Sequence, residues 1–412
     1  MSKTILTTGL LILLQTLSAQ QISSFQNGNW RAILERKDGN QIVFNFETRD
    51  SAGKKILYIR NASERLLVDD IVTKGDSVFI NLPFFESRLQ AAIINKNELR
   101  GVWLKRQTDK YQEMPFSAFY DQSFRFKSSG GTLVSNISGR WAVSFTTAGQ
   151  ALKDSAVGEF VQNGNYLSGT FLTPTGDYRF LEGVVDGDSL RLSCFDGGHA
   201  FLFTAKIKNN NSISDGKYYS GPVSKQGWTA KRDQNAKLPD EFSLTRLRPG
   251  QSKLDFVFKD IDGNLVSLSD ERFRNKVLLI QIMGSWCPNC MDETEFLSGF
   301  YREYKNKGLE IIGLAYERST NFERSQNSLR SFQKRFGVQY PLLITGISVN
   351  DSLRTEKTLP QLENIIGFPT TIFINRNGLV EKIHTGFNGP GTGTHYEEEK
   401  KAFYRIIDSM IQ

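Results

Sequence analysis

The segment Ile280-Gln281-Ile282-Met283-Gly284-Ser285-Trp286-Cys287-Pro288-Asn289-Cys290-Met291-Asp292 constrains this chain more than any other. An apolar run over 277–283 has the length of a buried strand, Gly284 and Ser285 interrupt it, and Cys287-Pro288-Asn289-Cys290 then opens a predicted helix. A thiol at a helix N-terminus meets unpaired backbone N–H groups and the positive end of the helix dipole, which favour thiolate over thiol. The thiolate is the attacking species in disulfide exchange. A second cysteine one turn along can close a small ring and expel the bound partner. Pro288 suits the first helical turn, where its missing N–H costs nothing.

The chain has 3 cysteines, Cys194, Cys287 and Cys290, too few for a disulfide framework. Alternation places Cys194 on one strand face with Leu190 and Leu192, as a small buried residue. A structural zinc site takes about four ligands. His199, His384 and His395 are scattered, so neither metal nor cofactor is expected. The net charge of +7 is dispersed rather than gathered into a basic run, which argues against a nucleic-acid partner. One lysine followed by the apolar run 5–14 and then Leu17-Ser18-Ala19-Gln20 predicts a secretory signal peptide over 1–19. No other apolar run approaches the ~18 residues of a membrane span.

At 412 residues the chain is long enough for two or three domains. Between 20 and 235 it reads as β throughout, short alternating segments separated by turns such as Lys37-Asp38-Gly39-Asn40 and Asn163-Gly164-Asn165. A weak repeat is visible. Gly28-Asn29-Trp30 returns as Gly139-Arg140-Trp141, and Gly75-Asp76-Ser77 as Gly187-Asp188-Ser189. The expected architecture is two similar antiparallel β units, 20–125 and 126–235, each a sandwich or a small up-and-down barrel. Trp30 and Trp141 read as core residues at strand starts. The units carry no catalytic constellation. A partner, an apolar ligand or a spacer role all remain open for them. Residues 236–252, with two prolines, a glycine and no periodicity, read as a linker.

From 253 to 412 the pattern changes to α/β. A hairpin is expected around Asp260-Ile261-Asp262-Gly263-Asn264, followed by the cysteine-bearing strand and helix. A second strand ends at Tyr316-Glu317, and a second helix carries Phe322, Leu329, Phe332 and Phe336. Gly367-Phe368-Pro369-Thr370-Thr371 leads into an apolar strand, and Asn375-Arg376-Asn377-Gly378 makes a turn. The glycine-rich loop 386–393 lacks the Gly-Lys-Ser/Thr ending of a phosphate cradle. Thr394 and Glu397 have the spacing of a capping box for the last helix.

Trp286-Cys287-Pro288-Asn289-Cys290 after a strand, with the hairpin before it, Glu317 after the next strand and Phe368-Pro369 before a later one, resembles the extracytoplasmic TlpA/ResA-like thiol-disulfide oxidoreductases over about 250–412. One departure is Leu254, where many relatives carry proline. The resemblance implies a thioredoxin-like domain with Cys287 attacking and Cys290 resolving. Glu317 would be an acid near the pair able to exchange protons with the resolving thiol, and Pro369 a cis proline opposite the cysteines. Trp286, Pro288, Phe368 and Pro369 would form the substrate-docking surface, the backbone of Phe368 pairing with an extended segment. It implies an exported protein of the periplasm or cell envelope that reduces disulfide-containing protein substrates, fed by a membrane electron donor. Two alternatives stand beside it. A thiol peroxidase would share the opening hairpin, but its Pro-x-x-x-Thr-x-x-Cys motif is absent. A binding protein would do its work through the β units.

Overall fold

The computed structural model describes residues 24–83, 86–133, 135–147 and 150–412. The expected signal peptide at 1–19 lies outside the described residues.

The first β unit is a nine-stranded antiparallel meander. From one edge it runs through Glu64–Val68, Lys54–Asn61, Gln41–Ser51 and Gly28–Glu35. It continues through Tyr111–Tyr120, Glu98–Arg106, Ser87–Asn95 and Ser77–Asn81 to Asp70–Lys74 at the other edge. The second unit is also nine-stranded, and pairing of Gln150–Asn163 with Tyr166–Thr173 closes it on itself as a barrel. Its interior is packed with rings: Phe171 stacks on Phe203 at 4.6 Å, and Phe203 on Tyr218 at 4.5 Å. Offset ring pairs of this kind add to the area that burial removes from water.

The repeat is structural. Trp30 donates its indole N–H to Gln26 O at 3.1 Å and Trp141 donates to Ile137 O at 2.9 Å, the same four-residue reach-back. Both indoles are fully buried, and Gly28 and Gly139 before them have φ of 130° and 113°. The two units share a core, because Phe195 of the second stacks on Phe44 of the first at 4.1 Å. The buried guanidinium of Arg125 donates to Ser193 O at 3.2 Å across the same seam.

The C-terminal domain holds a seven-stranded sheet in the order Leu265–Ser267, Val257–Asp260, Leu342–Ile344, Leu309–Ala315, Val277–Met283, Thr370–Ile374, Val380–Thr385. Val277–Met283 pairs in parallel with Leu309–Ala315, as a strand–helix–strand unit requires, and antiparallel with Thr370–Ile374. Helices α1 (Pro288–Tyr304), α2 (Phe322–Phe336), the short α3 (Arg354–Thr358) and α4 (Thr394–Ile411) complete it. Apolar residues on the two faces of the sheet form separate cores. The first strand starts at Val257. Leu254 and Phe256 are buried as anchors ahead of it.

One expected cap is not made. Gly393 occupies the N-cap of α4 with φ 60°, and no side chain caps that end. Glu397 turns instead to Lys400, at 2.8 Å. Among the described residues no helix is long and apolar enough to cross a membrane.

Candidate active site

Cys287 is the N-cap of α1, with Pro288 in the first turn. Its Sγ accepts the backbone N–H of Cys290 at 3.2 Å, so the sulfur faces the positive end of the helix as the sequence pattern requires. Cys287 and Cys290 form a disulfide, with Cα atoms 5.2 Å apart. Cys194 is fully buried in the second β unit, and burial pushes its thiol well above the usual range.

The Phe368–Pro369 peptide bond is cis and lies opposite the pair, with Phe368 O 3.6 Å from Cys287 Sγ. Trp286 is half-buried. Its indole N–H donates to Tyr316 O at 2.8 Å, and its ring meets the edge of Phe368 at 5.5 Å. Trp286, Pro288, Phe368 and Pro369 are thus gathered around Cys287.

Glu317 is buried. Both of its carboxylate oxygens accept from Ser285, from the backbone N–H and the hydroxyl, each at 2.7 Å. Burial raises its pKa, and the two bonds oppose that rise. It therefore grips the loop that carries Trp286. On the Cys290 side stands a carboxylate that the sequence reading passed over, Glu293. It is fully buried and accepts from Gln281 Nε2 at 2.7 Å and Thr371 Oγ1 at 2.6 Å. Gln281 Nε2 also donates to Cys290 O at 3.3 Å, tying the acid to the resolving cysteine. Burial pushes Glu293 up to about 7. Two signals for it were present in the sequence. Gln281 is a polar residue inside an apolar strand, and Glu293 shares a helix face with Phe296, Leu297 and Phe300.

The β units reach this centre. The tip of a hairpin in the second unit, where Gly176–Asp177 pairs back on Leu172–Thr173, presses on the residues around the disulfide. Asp177 Oδ1 accepts from Asn289 Nδ2 and from Gly389 N, both at 2.9 Å. Arg179 binds Asp292 Oδ2 of α1 at 2.5 Å and Glu64 Oε1 of the first unit at 2.7 Å. Burial raises Asp292 to about 7 despite Arg179, because Asp177 and Glu64 crowd the same guanidinium. On the far side a cleft of about 280 Å³ separates Ser285, Trp286, Glu317 and Arg318 from Leu82 and Lys105 of the first unit. Burial and the Arg318 charge hold Lys105 down at about 7. No sequence signal linked the β-unit groups to their partners in the redox domain, which lie more than a hundred residues away in the chain.

A thioredoxin-like sheet with a Cys-x-x-Cys pair at the N-terminus of its first long helix defines a thiol-disulfide exchange protein. The Redoxin family matches residues 248–401. The chain is similar to the thiol-disulfide oxidoreductase ResA of Halalkalibacterium halodurans, 30% identical over 140 residues, or 34% of this chain and 69% of that protein. It is similar to ResA of Geobacillus kaustophilus, 31% identical over 142 residues, 34% and 72% of the two chains. ResA of Bacillus subtilis is 28% identical over 137 residues, 33% and 67%. The chain belongs to the ResA family of thiol-disulfide oxidoreductases. The two β units lie outside the matched region.

Proposed function

We propose that this protein reduces protein disulfides in the cell envelope. Cys287 thiolate attacks one sulfur of the substrate disulfide, and the other sulfur leaves as a thiolate and takes up a proton. Cys290, once deprotonated, attacks Cys287 Sγ in the mixed disulfide and releases the second substrate thiol. The Cys287–Cys290 bond forms, and two electrons and two protons have passed to the substrate. A dithiol donor, at the membrane in this reading, must then reduce the pair again. The observation that carries the reading is Cys287 Sγ receiving the Cys290 N–H at the start of α1.

Roles follow from placement. Glu293, poised at about 7, is the proton acceptor on the Cys290 side. Glu317 holds the Ser285–Trp286 loop. Trp286, Pro288 and Pro369 shape the docking surface, and Phe368 offers backbone groups to an extended substrate. In this reading 1–19 is a leader that directs export, 20–125 and 126–235 are β units, 236–252 connects, and 253–412 is the redox domain.

A redox titration of the pair in defined thiol buffers tests the direction. A potential below about −220 mV supports a reductant, whereas one near −120 mV reverses the flow of electrons. Insulin reduction tests the roles: Cys287→Ser is expected to lose it entirely, and Cys290→Ser to accumulate a mixed disulfide. Full activity in Cys287→Ser would overturn the reading.

A further inference from the structure

In an exchange protein of this kind the attacking sulfur has to be reachable. Here Cys287 is 3% exposed and Cys290 is 0% exposed. Residues that flank them are in turn covered by the second β unit. The turn Pro174-Thr175-Gly176-Asp177 of the second β unit lies across the groove between Asn289, the Phe368–Pro369 segment and the loop after the last strand. Gly176 is packed so tightly on Asn289 that a Cβ there would stand 2.5 Å from Asn289 Cγ. Thr175 is pressed against Gly367, immediately before Phe368. A Cβ on Gly386 would stand 2.8 Å from Pro174 O. Glycines at 367 and 386, in the redox domain, and at 176, in the β unit, permit this approach from both sides. Asp177 then fastens the turn, through Asn289 Nδ2 and Gly389 N. Asn289 lies between the two cysteines, so the tether is attached to the reacting motif itself.

Building on the oxidoreductase reading, we propose that the Pro174–Asp177 turn is the specificity element of this redox centre. It occupies the substrate groove, with Asp177 as its tether, so that a protein disulfide reaches Cys287 only when the turn is displaced. The chemistry of the contacts states what displaces it. A competing partner must place an extended segment beside Phe368 and satisfy Asn289 Nδ2 and Gly389 N with an acceptor in place of the Asp177 carboxylate. Partners with an acidic or carbonyl-rich stretch next to their disulfide are therefore favoured. Small thiols and disulfides, which need less of the groove opened, are screened less. The reactivity of the pair toward large partners is scaled by the fraction of molecules in which the turn is lifted.

The test uses the full chain carrying Cys290→Ser, in which Cys287 is a free thiol and Cys194 stays buried. Alkylation rates are measured with N-ethylmaleimide and with a polyethylene-glycol maleimide of protein size. Their ratio is normalised to the ratio in denaturant. The turn is expected to depress the bulky reagent's relative rate by about tenfold or more. Asp177→Ala, which removes the tether, and Gly176→Ala, which drives the turn off Asn289, should each restore most of it. Melting curves confirm that both variants are folded. Equal relative rates in the parent, or no change in the ratio in either folded variant, overturn the proposal. Insulin reduction by the same variants with Cys290 intact separates this from the underlying reading. Faster reduction than in the parent supports the specificity element. Gated alkylation with no disulfide reduction in any form leaves the gate standing and removes the oxidoreductase.

Discussion

Glu293 is a single acid buried on the side of the resolving cysteine. Its two acceptor bonds, from Gln281 and Thr371, stabilise the anion, and burial outweighs them. Because the folded-state pKa is raised from 4.5 to about 7, the folded protein holds this proton over a range in which the unfolded chain has lost it. Stability from this group is complete below pH 4.5 and is lost as the pH rises through about 7. Glu293→Gln should therefore remove a slope of up to about 1.4 kcal/mol per pH unit across that window, read from denaturant midpoints at a series of pH values. The same variant should flatten the rise in disulfide-reducing rate near pH 7 while Cys287 still alkylates normally. An unchanged pH–rate profile would remove Glu293 from the proton path. The cysteines were legible in the sequence because their spacing is itself the chemistry. Glu293 was signalled only indirectly, by Gln281 inside an apolar strand and by its place on the apolar face of α1, and its pairing with Gln281 and Thr371 needed the sheet behind the helix to be known.

Elements were more legible than their ends. The strand Val277–Met283 follows from its unbroken apolar run, α1 from the break and Cys-Pro-Asn-Cys that open it and α2 from its apolar periodicity, and the repeated Gly-x-Trp foretold two related β units. Caps depend on one backbone angle and were less readable. The start of α2 is capped by Asn321, whose Oδ1 accepts from Arg324 N at 2.8 Å, although the sequence reading did not mark it. The start of α4 carries the Thr394/Glu397 spacing, yet Gly393 with φ 60° takes the N-cap and the box stays open. Two substitutions separate motif from geometry. Asn321→Ala should cost about 1 kcal/mol, and Thr394→Ala should stay within about 0.5 kcal/mol, both measured by denaturant unfolding. A loss at Thr394 as large as at Asn321 would mean that the box forms in solution.

At the scale of the whole molecule, the two β units share an apolar core, while polar groups from distant positions, invisible as partners in the sequence, join them to the redox domain. His395 at the start of α4 meets Glu159 of the second unit at 3.0 Å, with Arg140 beside them. Arg179 is the more central link. Its guanidinium serves Glu64 from the first unit and Asp292 from α1, and Asp196 lies 4.0 Å away. Arg179→Met would leave these carboxylates in a buried seam without their cation, at a cost of about 3 kcal/mol. The sign of its pH dependence follows from the same burial. Asp292 is already raised by burial, and without the guanidinium its carboxyl is held still further above its ordinary range, so the folded variant takes up a proton that the unfolded chain does not. The added stability is present at low pH and is lost as the pH rises. The deficit of Arg179→Met relative to the parent should therefore be larger at pH 8 than at pH 5. Limited proteolysis at pH 8 should release a redox domain that the parent protects. A deficit that is the same at both pH values would mean that Arg179 contributes packing alone, and that the seam between the β units and α1 is held by its apolar contacts.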